Sequence, residues 1–231
     1  MKKVGVIAAM QEELHILKES IKEATHHEYG QYEFIEGKIN NQEVVIVQSG
    51  IGKVNASIAT VLLIQEYGCE LIINTGSGGG VGEELEIGDV VLSTTLSYYD
   101  ADARVFGYKM GQVPQMPAEY LASKEVRNQM KKAAQKAGLS VVEGEILTGD
   151  SFVSGGETLK KIQEHFPQAQ IVEMEGAAIA QTCYRFDVPC LVVRAVSDTA
   201  NNEAAQSFDD FIIEAGRKSG EMILYFLELI E

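Results

Sequence analysis

Cations, cysteines and long apolar runs are scarce in this chain of 231 residues, and each shortage removes a class of function. Lys and Arg number 19 against 34 Asp and Glu, a net charge of -15, which argues against binding nucleic acid by neutralising its phosphates. The acidic excess names no partner of its own. Cys69, Cys183 and Cys190 form no CxxC pair and leave an odd thiol, so neither a disulfide framework nor a zinc knuckle is expected. No apolar run approaches the roughly 18 residues that span a bilayer. Lys2 and Lys3 precede a short apolar stretch, yet Gln11, Glu12 and Glu13 interrupt it before it resembles a secretion signal. A soluble, cytoplasmic protein without membrane contact is expected. HExxH and G-x-S-x-G are absent, and His15, His26, His27 and His165 lack ligand spacing, so neither a metal site nor a serine nucleophile is anticipated.

With only four prolines and no Pro- or Ser-rich linker, residues 1–231 read as a single domain. Residues 4–9, 44–47, 71–74, 90–93 and 191–196 are short, β-branched runs bounded by Gly or polar residues, the pattern of buried strands. Helical spacing lies between several of them. Leu14, Leu17 and Ile21 share a face, and Val54, Ile58, Val61 and Leu62 form a nearly all-apolar helix closed by Gly68. This alternation predicts an α/β fold, a mostly parallel central sheet flanked by helices. Tyr29, Tyr32, Phe34 and Ile35 alternate with polar residues ahead of Asn40 and Asn41, which adds antiparallel hairpin character and makes the sheet mixed. Ser123 can cap a helix that Gly138 stops, and Ser207 with Asp210 resembles a capping box opening a long C-terminal helix. The irregular stretch 98–117 reads as a functional loop.

Carboxylates gather at strand ends, where burial without compensation is costly. Glu173 and Glu175 follow one apolar run, and Asp198 closes another, CLVVRAVS. The run GSGGG at 76–80 follows a strand, where α/β sheets hold ligands, although glycines selected for a tight turn would look the same. It opens no evident helix, which removes the dinucleotide reading; Val47 and Val54 stand where a Walker loop at 50–53 needs Gly and Ser or Thr. Glu12 and Glu13 suit a helix start, where the dipole favours anions. Alternatively, one of them points back over the strand end toward Ser77 and Asp198. Asp100 and Asp102 read as loop caps, while Phe106, Tyr108 and Met110 suit a ligand lid or a subunit contact.

Taken together, MQEE at 10–13, SGIGK at 49–53, NTGSGGG at 74–80, FGY at 106–108, GDSF at 149–152, VEMEGAAIA at 172–180 and RAVSD at 194–198 closely resemble the methylthioadenosine/S-adenosylhomocysteine nucleosidases, a branch of the nucleoside phosphorylase superfamily. The likeness covers essentially the whole chain, and the order and spacing of the motifs are specific to that branch. It implies irreversible hydrolysis of the bond joining adenine to the ribosyl carbon of methylthioadenosine, S-adenosylhomocysteine and 5′-deoxyadenosine, with no metal or cofactor. Under the resemblance, Asp198 is the general acid that protonates adenine and needs a raised pKa, and Glu13 is the carboxylate that activates water. Glu12 is left as the helix-start residue. That division resembles inverting glycoside hydrolysis. Glu175 matches the acceptor of the ribose hydroxyls, Met174 packs on the sugar, and Glu173 lies near ribose and water. Ser77, Gly79 and Ser197 match positions beside the site, Arg194 holds the carboxylates, Phe152 stacks on adenine and the backbone of Val153 reads its edge. Met10, Ile51 and Phe208 line apolar walls. Phe106, Tyr108 and Pro114 match a loop that completes the partner subunit's pocket, which implies a homodimer. Gly79 and Gly176 depart from the family pattern, in which Ala is frequent at both positions.

Two other readings stand at this point. A phosphorolytic enzyme of the same fold needs fixed cations for its phosphate, yet the first arginine is Arg104, and Glu13 would repel the anion. A non-catalytic adenosine-binding module would dispense with the acid or the base, and this chain retains both.

Overall fold

The computed structural model describes residues 2–201 and 204–230, and each of the five apolar runs forms a strand in it. The strands are β1 (Val4–Ala8), β2 (Lys22–Tyr29), β3 (Tyr32–Ile39), β4 (Gln42–Gln48), β5 (Leu71–Gly80), β6 (Val90–Tyr98), β7 (Tyr120–Leu121), β8 (Val141–Thr148), β9 (Ala169–Glu173) and β10 (Cys190–Asp198). The helices are α1 (His15–Ser20), α2 (Lys53–Gln65), α3 (Lys124–Lys136), α4 (Gly156–His165), α5 (Gly176–Phe186) and α6 (Ala204–Leu229). Ser123 caps α3 as its position predicts, accepting the Val126 N–H at 3.3 Å, and β3 returns into β4 through Asn40 at φ 55°.

The sheet runs β10-β6-β8-β9-β5-β1-β4-β3-β2, and β10 also pairs with β5. That second pairing closes β5, β9, β8, β6 and β10 into a ring, while β1, β4, β3 and β2 extend from it as an open sheet. β1 is parallel to β4 and β5, β5 to β10, and β8 to β6 and β9; the meander β2-β3-β4 is antiparallel. The sheet is mixed, as expected. Its closure was not legible, because periodicity reports which faces of a strand are buried and not which neighbours it takes. Closure buries β10 completely, Arg194 and Asp198 included. Among the helices, α2 packs on α5, whereas α6 crosses β10 and β5 and meets α1 and α3.

Two local expectations need correction, and a third, the apolar helix after SGIGK, forms with one apolar side left open. The glycine run is strand and not loop: β5 continues through it, and Gly76, Gly78, Gly79 and Gly80 all keep negative φ. These glycines serve close approach instead, since a Cβ on Gly78 would sit 2.6 Å from Ile171 Cγ2. Helix starts also shift. α6 opens at Ala204, which puts Ser207 inside the first turn rather than at the cap, and α1 opens at His15, after Glu12 and Glu13. Finally, α2 turns Ala56, Ala59, Thr60, Leu63 and Ile64 inward, leaving Val54 and Ile58 69% and 43% exposed. A helix apolar all round carries no pattern that says which side faces the core.

Candidate active site

After β1 the chain makes a tight turn, and Leu14 and Leu17, both fully buried, anchor α1 against the core. That anchoring aims Glu13 back over the strand end. Its Oε2 accepts the Ala9 and Met10 N–H groups, each at 3.1 Å, and its Oε1 accepts both the N–H and the hydroxyl of Ser77 at 3.0 and 3.1 Å. Glu12, its neighbour, is exposed. Burial pushes the Glu13 carboxyl above the ordinary carboxylate range, against the opposing pull of Arg194 and the Ser77 and Met10 donors. The alternative in which one glutamate reaches Ser77 is therefore the observed one.

Asp198 owes its direction to an irregularity. Between Val196 and Asp198 the register of β10 slips against β5, so Val196 lies opposite Gly78 and Asp198 opposite Gly79. Such a bulge re-aims a side chain at a strand end. The carboxylate accepts the Ser197 hydroxyl at 3.0 Å and the Ala200 N–H at 2.8 Å, yet burial raises its pKa over both donors. Asp198 is 2% exposed. A raised carboxylic acid beside a cavity has the property a general acid requires.

Between these two groups lies a buried ionic cluster. Arg194 Nη2 reaches Glu173 Oε2 at 2.5 Å, Asn74 Oδ1 at 2.6 Å and Glu175 Oε2 at 3.5 Å. Glu173 also accepts the Thr148 hydroxyl and the N–H groups of Glu175 and Gly176 at the start of α5. Its oxygens are thus engaged from within, which makes it the brace of the cluster. Glu175 is less committed: the Gly52 N–H donates to Oε1 at 2.9 Å, and burial followed by the charge of Glu173 pushes its pKa up to about 7. Arg194 answers the desolvation of three carboxylates from a buried position behind the wall.

The groups face one cavity of about 290 Å³. Met10, Glu13, Ile51, Ser77, Gly79, Phe152, Val153, Glu173, Met174, Glu175, Asp198 and Phe208 all line it, as does the unanticipated set Ala9, Gly78, Ser151 and Val172. Phe152 and Phe208 meet edge to face at 5.9 Å across its rim. Arg194 and Ser197 stand behind the lining. Phe106, Tyr108 and Pro114 are not brought to this cavity within the chain; Phe106 is 79% exposed. Sequence reasoning also missed the supporting donors Thr148, Gly52 and Ala200, although the first adjoins the GDSF motif and the second lies within SGIGK. Among the described residues no cluster of His, Cys, Asp or Glu has the geometry to hold a metal ion.

Comparisons with known proteins agree with this layout. A family model described as the Phosphorylase superfamily matches residues 3–228. The 5′-methylthioadenosine/S-adenosylhomocysteine nucleosidase of Actinobacillus succinogenes is 44% identical over 99% of this chain and 100% of its own. The crystal structure of the Neisseria meningitidis nucleosidase in complex with methylthio-immucillin-A superposes with a TM-score of 0.96 at 41% identity, covering 99% of each chain. The Colwellia psychrerythraea nucleosidase, in complex with adenine, has a TM-score of 0.96 at 39% identity and covers 99% of this chain and 95% of its own. With a full-length likeness in sequence and fold, and with Glu13, Glu173, Glu175 and Asp198 turned to one cavity, the chain belongs to the 5′-methylthioadenosine/S-adenosylhomocysteine nucleosidase family of the phosphorylase superfamily.

Proposed function

We propose that this protein hydrolyses the N-ribosidic bond of 5′-methylthioadenosine and S-adenosylhomocysteine, and of 5′-deoxyadenosine, which carries the same base and ribose hydroxyls. One observation carries the reading: Glu13 and Asp198, from opposite ends of the chain, are both buried at a cavity whose described walls hold no Lys or Arg. With no Lys or Arg on that lining to clamp a phosphate, and with Glu13 facing it, water is the nucleophile that this site accepts.

Asp198 gives its proton to the imidazole nitrogen of adenine as the bond from the ribosyl carbon to the base breaks, and the electron pair leaves with the base. The sugar acquires oxocarbenium-like charge, which the anions of Glu13 and Glu175 stabilise at close range. Water adds to the anomeric carbon while Glu13 takes its proton. Adenine and the free sugar are the products, a thioribose from the two thioethers and 5-deoxyribose from 5′-deoxyadenosine. Glu175 binds the ribose hydroxyls, Met174 packs on the sugar, Phe152 stacks on the base and the Val153 backbone meets its edge. The adenine held by the Colwellia relative is the product this scheme requires.

We also infer a homodimer. Val105 and Phe106 are 87% and 79% exposed, and Val54 and Ile58 expose a second apolar strip on α2. Apolar area of this kind is a recurrent mark of a subunit contact. Phe106, Tyr108 and Pro114 would then close the partner's pocket over the 5′-thio substituent. A single domain and a cytoplasmic site of action complete the reading, supported by three free, buried thiols.

The test is adenine release from methylthioadenosine in phosphate-free buffer. Release of adenine and free methylthioribose, lost in Glu13→Gln and Asp198→Asn, supports hydrolysis with these roles. A requirement for phosphate, with a sugar phosphate as product, or binding without turnover would overturn it.

A further inference from the structure

Outside the cavity lining, Lys53 joins three segments that the reaction needs in register. It opens α2, one residue after the Gly52 N–H that holds Glu175. The Lys53 N–H donates to Asp150 Oδ1 at 2.9 Å, so consecutive backbone donors hold a carboxylate of the sugar side and one of the loop that leads into Ser151, Phe152 and Val153. Its ammonium reaches Asp100 Oδ2 at 2.7 Å and Asp150 Oδ2 at 3.6 Å, and lies 5.3 Å from the centre of the Tyr98 ring. Asp100 closes the circuit by accepting the Asp150 N–H at 3.0 Å. The loop is held from its other side by Tyr99, whose hydroxyl donates to the Ser151 carbonyl at 2.6 Å and whose ring fills the space over Gly149.

We infer that Lys53, with Asp100 and Asp150, is a positioning residue that fixes the Phe152 loop relative to Glu175, and so sets how well the site grips the base while the sugar is held. The identity of the base rests on the function proposed above; the mechanical link does not. The ammonium and the Asp100 carboxylate are each about three-quarters covered, which shields the pair from the screening that cancels exposed ion pairs. The carboxylates that do the chemistry are untouched by Lys53, so its loss should be felt in binding before catalysis.

The experiment compares wild type with Lys53→Met, which keeps an apolar stem against Tyr98, Asp100→Asn, the double variant and Lys53→Arg. Adenine affinity is measured by calorimetry, and KM and kcat by adenine release. Lys53→Met should weaken adenine binding and raise KM about tenfold each, the loss expected for a charge-assisted network, with kcat within about twofold. The double variant should cost no more than the larger single change, because both break one link. Lys53→Arg should recover part of the affinity. Unchanged adenine affinity, a loss confined to kcat, or additive losses would overturn the inference. Failure of wild type to release adenine would overturn the function instead, and the calorimetric comparison would still report on the link.

Discussion

A side chain begun on Gly76 would start 2.8 Å from Oε1 of Glu13, so β5 makes room for the carboxylate only by having no side chain there. Glu13 cannot swing aside cheaply, because Ala9, Met10 and Ser77 hold it with four hydrogen bonds. Gly76→Ala should therefore lower kcat by about 100-fold, the scale of losing a positioned catalytic group. Gly30→Ala is the control. It lies at φ +62° with nothing within 4 Å, and should cost about 1 kcal/mol of stability with no change in kcat.

The pH dependence comes from the form in which each carboxylate acts. In the proposed mechanism Asp198 acts protonated and Glu13 ionised, and burial raises both above their ordinary values. The profile of kcat/KM should be bell-shaped, its alkaline limb reporting Asp198 and its acid limb the ionisation of Glu13 and Glu175. Ser197 donates to Asp198 and favours the anion. Ser197→Ala should thus move the alkaline limb to higher pH by about 0.5–1 unit, the equivalent of one net hydrogen bond. A limb that stays in place, or moves to lower pH, would remove Asp198 from the acid role.

Glu175 links pH to stability. Its folded pKa of about 7 lies above the ordinary value of 4.5, so the folded state binds the proton more tightly than the unfolded chain does. The destabilisation is absent below 4.5, grows as pH rises between the two values and is complete above 7. Glu175→Gln keeps an acceptor for the Gly52 N–H and cannot ionise. Its Tm relative to wild type should rise from pH 5 to pH 8 by a few degrees, at about 2–4 °C per kcal/mol for a domain of this size. Activity should fall steeply at every pH.

If Val54, Ile58 and Phe106 belong to a subunit contact, a charge there will break it. Ile58→Glu should weaken association at least about 100-fold, visible as a monomer in sedimentation, because a buried unpaired carboxylate at an interface core costs several kcal/mol. Turnover should fall with dimer content and recover at high protein concentration. A variant that stays dimeric and active would refute this surface as the contact.

Legibility in the sequence varied residue by residue. Glu13 and Asp198 could be named from the MQEE and RAVSD motifs, and the structure turns both into one cavity. The brace around Glu173 could not. Its partners Thr148 and Arg194 lie 25 and 21 residues away, Asn74 meets Arg194 across 120, and no local spacing encodes such contacts. In sequence Lys53 reads as the lysine of an incomplete Walker loop and Asp100 as a loop cap; only the approach of α2 to the β6 and β8 ends makes them partners. The glycine run reads as a loop in sequence, because a strand that needs glycine for proximity and a turn that needs it for positive φ share one composition.

By itself the sequence determined the strands β1, β4, β5, β6 and β10 and the helices α1, α2, α3 and α6, whose periodicity is local, and the motif residues, whose order along the chain is sufficient to identify the family. Tertiary structure alone decided the closure of the ring through β10, the bulge that aims Asp198, which oxygens of Glu173 and Glu175 are already taken, and the directions of the pKa shifts. The reason is physical: desolvation and hydrogen-bond occupancy depend on which distant segments arrive at a group, and that is fixed only when the chain has folded.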